Sequence, residues 1–255
     1  SSHSGSISNV IFRQLGAIFC DMTGMQVMYM KVLQTLGLPN TRFDGTALHK
    51  RVNPALWCVN KTDLENLRHL VVSAIKEDVI FPSNSHQFDP SDRLHGPTMY
   101  TVCDQFIKPI SDMAGQMSWA LMCHPDGLQC DLFLTHAWQE GIFEFIDKVL
   151  CGWPPGCRSA YCCVFSNPQN LDIASMIQTP SDSPFALALR ASKYVLIVPN
   201  SKSSIYTRLW CSYEAYIATK MGKVVLISRR PIRGTCLQIL CRYVSICVAT
   251  FMALA

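Results

Sequence analysis

The chain reads as an α/β protein: a parallel sheet with helices on both faces, preceded by a mostly helical segment. Two rhythms carry this. Beyond about residue 125, short continuously apolar runs alternate with amphipathic helices, the pattern of a sheet buried on both sides. Before it the periodicity is helical, and the turn "HPDG" closes that part. Composition allows a sizeable core, because 49% of the 255 residues are hydrophobic and only 16% are charged. The chain thus divides into a helical segment of unknown role, 1–125, and an α/β domain, 126–255.

Each element has its own signal. Residues 8–37 read as a helix, with Ile11, Leu15, Ile18, Met25, Met28, Val32 and Leu36 at mostly three-to-four spacing. "GLPN" stops it. "TDLENLRHLVVSAIKED" is a second helix, with Thr62 and Glu65 as a capping box and Leu64, Leu67, Leu70, Val71 and Ile75 as its apolar face. Residues 81–97 are a proline-bearing loop. Helix returns in "MYTVCDQFIKPI" and "MAGQMSWALM", broken by Pro109.

In the second half, "CDLFLTHAW" holds the first strand, and "EGIFEFIDKVL" a helix with Phe143, Ile146 and Leu150 on one face. "SAYCCVF" is the second apolar run, closed by "SNPQN". "DSPFALALRAS" starts a helix with Ser183 as N-cap and Pro184 at the first helical position. "KYVLIV" is the third strand, "IYTRLWCSYEAYIATKM" a long helix ended by Gly222, and "KVVLIS" the fourth strand. In such sheets ligands sit beyond the carboxyl ends of the strands. The loops to watch are therefore 135–140, 166–172 and 199–205.

Several function classes lack their marks. The net charge of +4 is spread without a basic run, which argues against nucleic acid as a partner. There is no G-x-G-x-x-G after a strand, no P-loop, no G-x-S-x-G and no H-E-x-x-H. The 13 cysteines sit mostly in apolar runs and read as buried free thiols of a reducing, cytoplasmic-type compartment. Cys123, His124, Cys130 and His136 lack the pairing of zinc ligands, so no metal is read. "SSHSGSISN" has neither a basic stretch nor an apolar run, so no signal peptide is read there. Residues 236–255 carry one charge, Arg242, and suit either a buried strand and helix or a membrane or partner contact.

"CDLFLTHAWQEGIFEFIDKVL" resembles the opening strand, loop and helix of a Toll/interleukin receptor (TIR) domain. "RASKYVLIVPNSKSSIYTRLWCSYEAYIATKMGKVVLIS" resembles its third strand, following helix and fourth strand, with "LWCSYE" close to the W-C-x-x-E pattern. The resemblance covers about residues 130–230. "FLTHAW", "NPQN" and "YTRLWCSYEA" are also similar to TIR-like proteins of dinoflagellate algae. It implies a flavodoxin-like sheet and one of two activities: cleavage of NAD, or assembly with other copies or proteins. In the cleaving domains the motif glutamate is catalytic, which by resemblance is Glu214. "THAWQEG" stands where an Arg/Gly-rich turn is usual, and "SNPQN" where an acidic turn is usual.

The chemistry accommodates a single acid. Trp210 and Glu214 are i and i+4 on one helix face, with Tyr206 and Ile217 extending the stripe. Cleavage of a nicotinamide–ribose bond builds positive charge on the ribose, as in glycosidases. The leaving pyridinium departs neutral, so no proton donor is needed and one ionised carboxylate suffices. Trp210 can wall such a pocket, and Trp138 and His136 can stack on or bond to the ligand. Thr135 and Tyr206 are further candidates for binding, and NAD enters as substrate rather than cofactor. Each also has an ordinary reading: Glu214 as a partly exposed helix glutamate, Trp210 and Trp138 as packing anchors, His136 as a strand-end cap. Cys211 has no histidine beside it in sequence and reads as a buried thiol.

Overall fold

The computed structural model describes residues 23–39, 44–201, 204–205 and 208–229. Tyr206, the residues before 23 and the tail 236–255 lie outside the described residues. The first described helix, α1, is Gly24–Leu36, opened by a Thr23–Gln26 capping box and closed by Gly37 at a φ of 65°. Helix α2 follows over Gly45–Arg51.

Helix α3, Lys61–Lys76, starts two residues earlier than Thr62 as cap would require. Asn60 and Asp63 form the capping box instead: Asn60 Oδ1 accepts from the Asp63 amide at 3.0 Å, and Asp63 returns the bond at 2.7 Å. Asparagine caps at least as well as threonine, and the shorter aspartate closes the box. The expected break at Pro109 is also absent. Helix α4 (Met99–Val102) runs through a π turn, Cys103–Ile107, into α5 (Lys108–Met113). The wider π turn ends where the proline ring would otherwise clash and no N–H is available. The chain stops instead at Gly115 and Gln116, both left-handed, before Ser118 caps α6 (Trp119–Cys123).

The second half is an α/β layer with a four-stranded parallel sheet, in the order β2-β1-β3-β4. Its strands are β1 (Leu132–Thr135), β2 (Ala160–Tyr161), β3 (Tyr194–Ile197) and β4 (Val224–Ile227). Every residue of β1 is buried, so both faces of the sheet are covered there. Helix α7 (Ile142–Gly152) links β1 to β2, α10 (Pro184–Ala191) leads into β3, and α11 (Leu209–Lys220) joins β3 to β4. Phe185 of α10 packs edge-on against Trp210 of α11, so these two helices meet, and the right-handed rule for parallel crossovers expects α7 on the opposite face. Ser183 caps α10 and Pro184 occupies its first turn.

The run "SAYCCVF" is strand for two residues only. Cys163–Ser166 turns into a short helix, α8, because the Ser166 hydroxyl accepts from the Cys162 amide at 3.0 Å and folds the chain back. A last short helix, α9, is Ile173–Met176.

One hydrophobic core extends from Met28 in α1 to Ala218 in α11 and crosses residue 125 without a gap. At its centre Phe133 of β1 stacks on Tyr161 of β2, ring centres 5.4 Å apart and 8° from parallel. Val59 pairs with Ala160 on the outer side of β2, through amide bonds of 2.9 and 2.7 Å. Residues 95–99 lace the loop after β1: Met99 N–H donates to Glu140 O (3.0 Å), Ile142 N–H to Pro97 O (2.9 Å) and Phe143 N–H to His95 O (3.0 Å).

Gly141 sits in this lacing, and a Cβ there would overlap the His95 backbone carbonyl. Gly141→Ala is expected to cost about 3 kcal/mol through overpacking against backbone that cannot rotate away. A thermal melt followed by tryptophan fluorescence checks this; an unchanged midpoint would show that the lacing yields.

Candidate active site

The strand order reverses at β1, since the chain goes first to β2 on one side and then to β3 on the other. That makes the carboxyl end of β1 a topological switch point, where open α/β sheets hold ligands. A cleft of about 190 Å³ lies there, and Trp138, Asn167, Gln169, Phe185, Trp210 and Glu214 are among its walls.

Four of the residues read from the sequence meet in this one cleft: Glu214, Trp210, Trp138 and His136. Thr135 touches it through Glu214, its hydroxyl donating to Glu214 Oε2 at 3.0 Å. Glu214 is 7% exposed, so the reading as a partly exposed helix glutamate does not describe it. Burial pushes its carboxyl up to about 7, against the pull of the Thr135 hydroxyl and the Arg208 cation. A carboxyl set this way charges near neutrality, and does so more readily when a cation enters the cleft.

Trp210 is half-buried, edge-on to Phe185 with ring centres 4.7 Å apart, and 6.0 Å from Tyr213. It is both a packing residue and a cleft wall. Trp138 stands on the loop after β1, its ring 5.2 Å from Tyr100 of α4 and 6.0 Å from the Arg208 guanidinium. The helical segment therefore supports one wall of the cleft.

His136 is 2% exposed, its ring 4.9 Å from Phe145 and its Nε2 3.5 Å from both the Cys162 and Cys163 sulfurs. Burial, with the Arg208 cation second, drives its pKa down to about 3, so it is a neutral imidazole throughout the physiological range. Its backbone carbonyl accepts from Arg208 Nη1 at 3.2 Å and from the Cys211 thiol at 3.4 Å. Cys211 is buried, and its thiol is pushed up to about 12 by burial first and Glu214 second, the behaviour of a packing thiol. Cys123, His124, Cys130 and His136 do not gather: His124 bonds to Asp63 at 2.7 Å, while His136 faces Cys162 and Cys163.

Sequence reasoning missed Arg208, Asn167, Gln169, Cys163 and Phe185 as cleft residues. The loop 166–172 carried a signal for Asn167 and Gln169, because it follows the second strand. Arg208 and Phe185 carried none, since one looks like a surface base before a helix and the other like core. Two residues of the segment after β3, Pro199 and Ser201, are held by α7. Lys148 donates to the Pro199 carbonyl and pairs with Glu144 at 2.9 Å, and Ser201 donates to Glu144 at 3.1 Å.

Folded Glu214 keeps its proton to about pH 7, whereas an ordinary glutamate loses it near 4.5. The folded state thus holds the extra proton between these values, and stability falls as pH rises through that window. Glu214→Gln, neutral at every pH, is expected to match the parent at pH 4.5 and to exceed it at pH 8 by on the order of 3 kcal/mol. Denaturant melts at the two pH values check this; an equal difference at both would disprove the buried-acid account.

No family model, no curated protein and no solved structure matches this chain.

Proposed function

We propose that this is a TIR-like domain that cleaves the nicotinamide–ribose bond of NAD, hydrolysing or cyclising it, with Glu214 as the catalytic carboxylate. The observation that carries the reading is the buried Glu214 in a cleft with Trp210, Trp138 and Arg208 at the switch point of the sheet. The strand order β2-β1-β3-β4 is that of the flavodoxin-like arrangement the resemblance implies.

The reaction breaks the C1′–N bond, and the electron pair goes to the pyridine nitrogen, which becomes neutral. In hydrolysis a water oxygen bonds to C1′ and loses its proton to solvent. Positive charge concentrates on the ribose in between, and an ionised Glu214, itself buried, stabilises it electrostatically. The Thr135 hydroxyl bond to Glu214 Oε2 orients the carboxylate and favours its charged form. Trp210 and Phe185 supply apolar faces for a flat ring, and Trp138 a third. Arg208 places one cation among them for the phosphates.

Nicotinamide release from NAD, followed by chromatography, tests this. Glu214→Gln is expected to lower the rate by about a hundredfold or more, the size of effect seen when one transition-state electrostatic partner is removed. In the parent the rate rises with pH through about 7, where Glu214 ionises. No release at high protein concentration, or equal release by the variant, overturns the reading.

A second reading, a non-catalytic interaction module or a subunit of a larger assembly, draws on the outer face of α11. Leu209 is 81% exposed and Tyr216 61% exposed, one above the other at i and i+7. Among the described residues no helix is long and apolar enough to cross a membrane.

A further inference from the structure

The loop after β2 presents two amide side chains to the cleft, Asn167 and Gln169. Their orientations are fixed by what lies behind them. Gln169 Nε2 donates to the backbone carbonyls of Cys163 (3.0 Å), Val164 (3.1 Å) and Asn167 (3.3 Å). Three carbonyls would repel the amide oxygen, so Oε1 must face the other way. Behind Asn167 stands the Tyr161 hydroxyl, fully buried, which donates to Asn167 Oδ1. That proton has no other acceptor among the described residues, so Oδ1 turns to Tyr161 and Nδ2 turns away. The result is one free donor, Asn167 Nδ2, and one free acceptor, Gln169 Oε1, on two residues that line the same cleft. Neither atom has a hydrogen bond among the described residues.

A donor and an acceptor on neighbouring residues of one cleft are the groups a primary carboxamide needs, since its carbonyl accepts and its NH₂ donates. Phe185 and Trp210 line the same cleft and give a flat ring its apolar contact. We infer that Asn167 and Gln169 read the carboxamide of a nicotinamide ring, Asn167 donating to its oxygen and Gln169 accepting from its NH₂. The identity of the ring rests on the NAD reading; the preference for a carboxamide rests on the two side chains. A carboxylate in the same place would set an anion against Gln169 Oε1. Arg208 attracts such an anion, so its rejection has to come from Gln169. A methyl ketone would leave Gln169 Oε1 without a partner, which is costly where water is displaced.

The test compares three small ligands on the full chain by saturation-transfer NMR titration: nicotinamide, nicotinate and 3-acetylpyridine. The geometry requires nicotinamide to bind and the other two to bind at least tenfold more weakly. Asn167→Asp keeps the acceptor for Tyr161 but loses the donor, so it weakens nicotinamide at least tenfold. Equal binding of the three ligands, unchanged nicotinamide binding by Asn167→Asp, or no nicotinamide binding overturns the inference. Editing the ligand rather than the protein keeps the result independent of any effect on folding. Selective nicotinamide binding with NAD left intact would remove the hydrolase reading alone. NAD cleavage without selectivity among the three ligands would remove this one alone.

Discussion

Strand β1 is buried on both faces along its whole length, and that single constraint arranges the rest. A strand with no solvent face needs neighbours on both edges and helices above and below. β2 and β3 supply the edges, and α7, α10 and α11 supply the covers. The first residue past the apolar stretch, Thr135, then meets α11 from below. Its hydroxyl has to be satisfied in a buried place, and Glu214 is what satisfies it. One hydrogen bond thus ties the end of the central strand to the middle of the helix that carries the candidate acid.

The electrostatics of the cleft follow from the same burial. Desolvation raises the carboxyl of Glu214 and lowers the imidazole of His136, so both lean toward their neutral forms. Arg208 is the cation common to both, favouring the charged acid and the uncharged histidine. The neutral histidine gives Arg208 and the Cys211 thiol a backbone carbonyl to hold rather than a competing charge. His136 thereby serves the cleft through its main chain more than through its ring.

Much of this was legible along the chain because β1, β3 and β4 are uninterrupted apolar runs, and because Ser183–Pro184 is a strong helix start. The pairing of Trp210 with Glu214 was legible from spacing alone, since i and i+4 share a face. Three features were not. The capping box of α3 could be drawn at Thr62 or at Asn60, and only the fold chose. Pro109 looked like a stop because a π turn leaves no mark in the sequence. Asn167 and Gln169 looked like turn residues, because the Tyr161 hydroxyl and the three carbonyls that orient them converge only in the folded chain.

The contact between Trp138 and Tyr100 carries a consequence for any attempt to separate the two segments. Trp138 belongs to the sheet layer and Tyr100 to the helical segment, and backbone bonds from residues 97 and 99 hold the loop between them. A gene rearrangement that moved residues 126–255 onto a new neighbour would carry away the acid but leave behind the prop for one wall of its cleft. A substitution at Tyr100, outside the sheet layer, therefore bears on the cleft through Trp138.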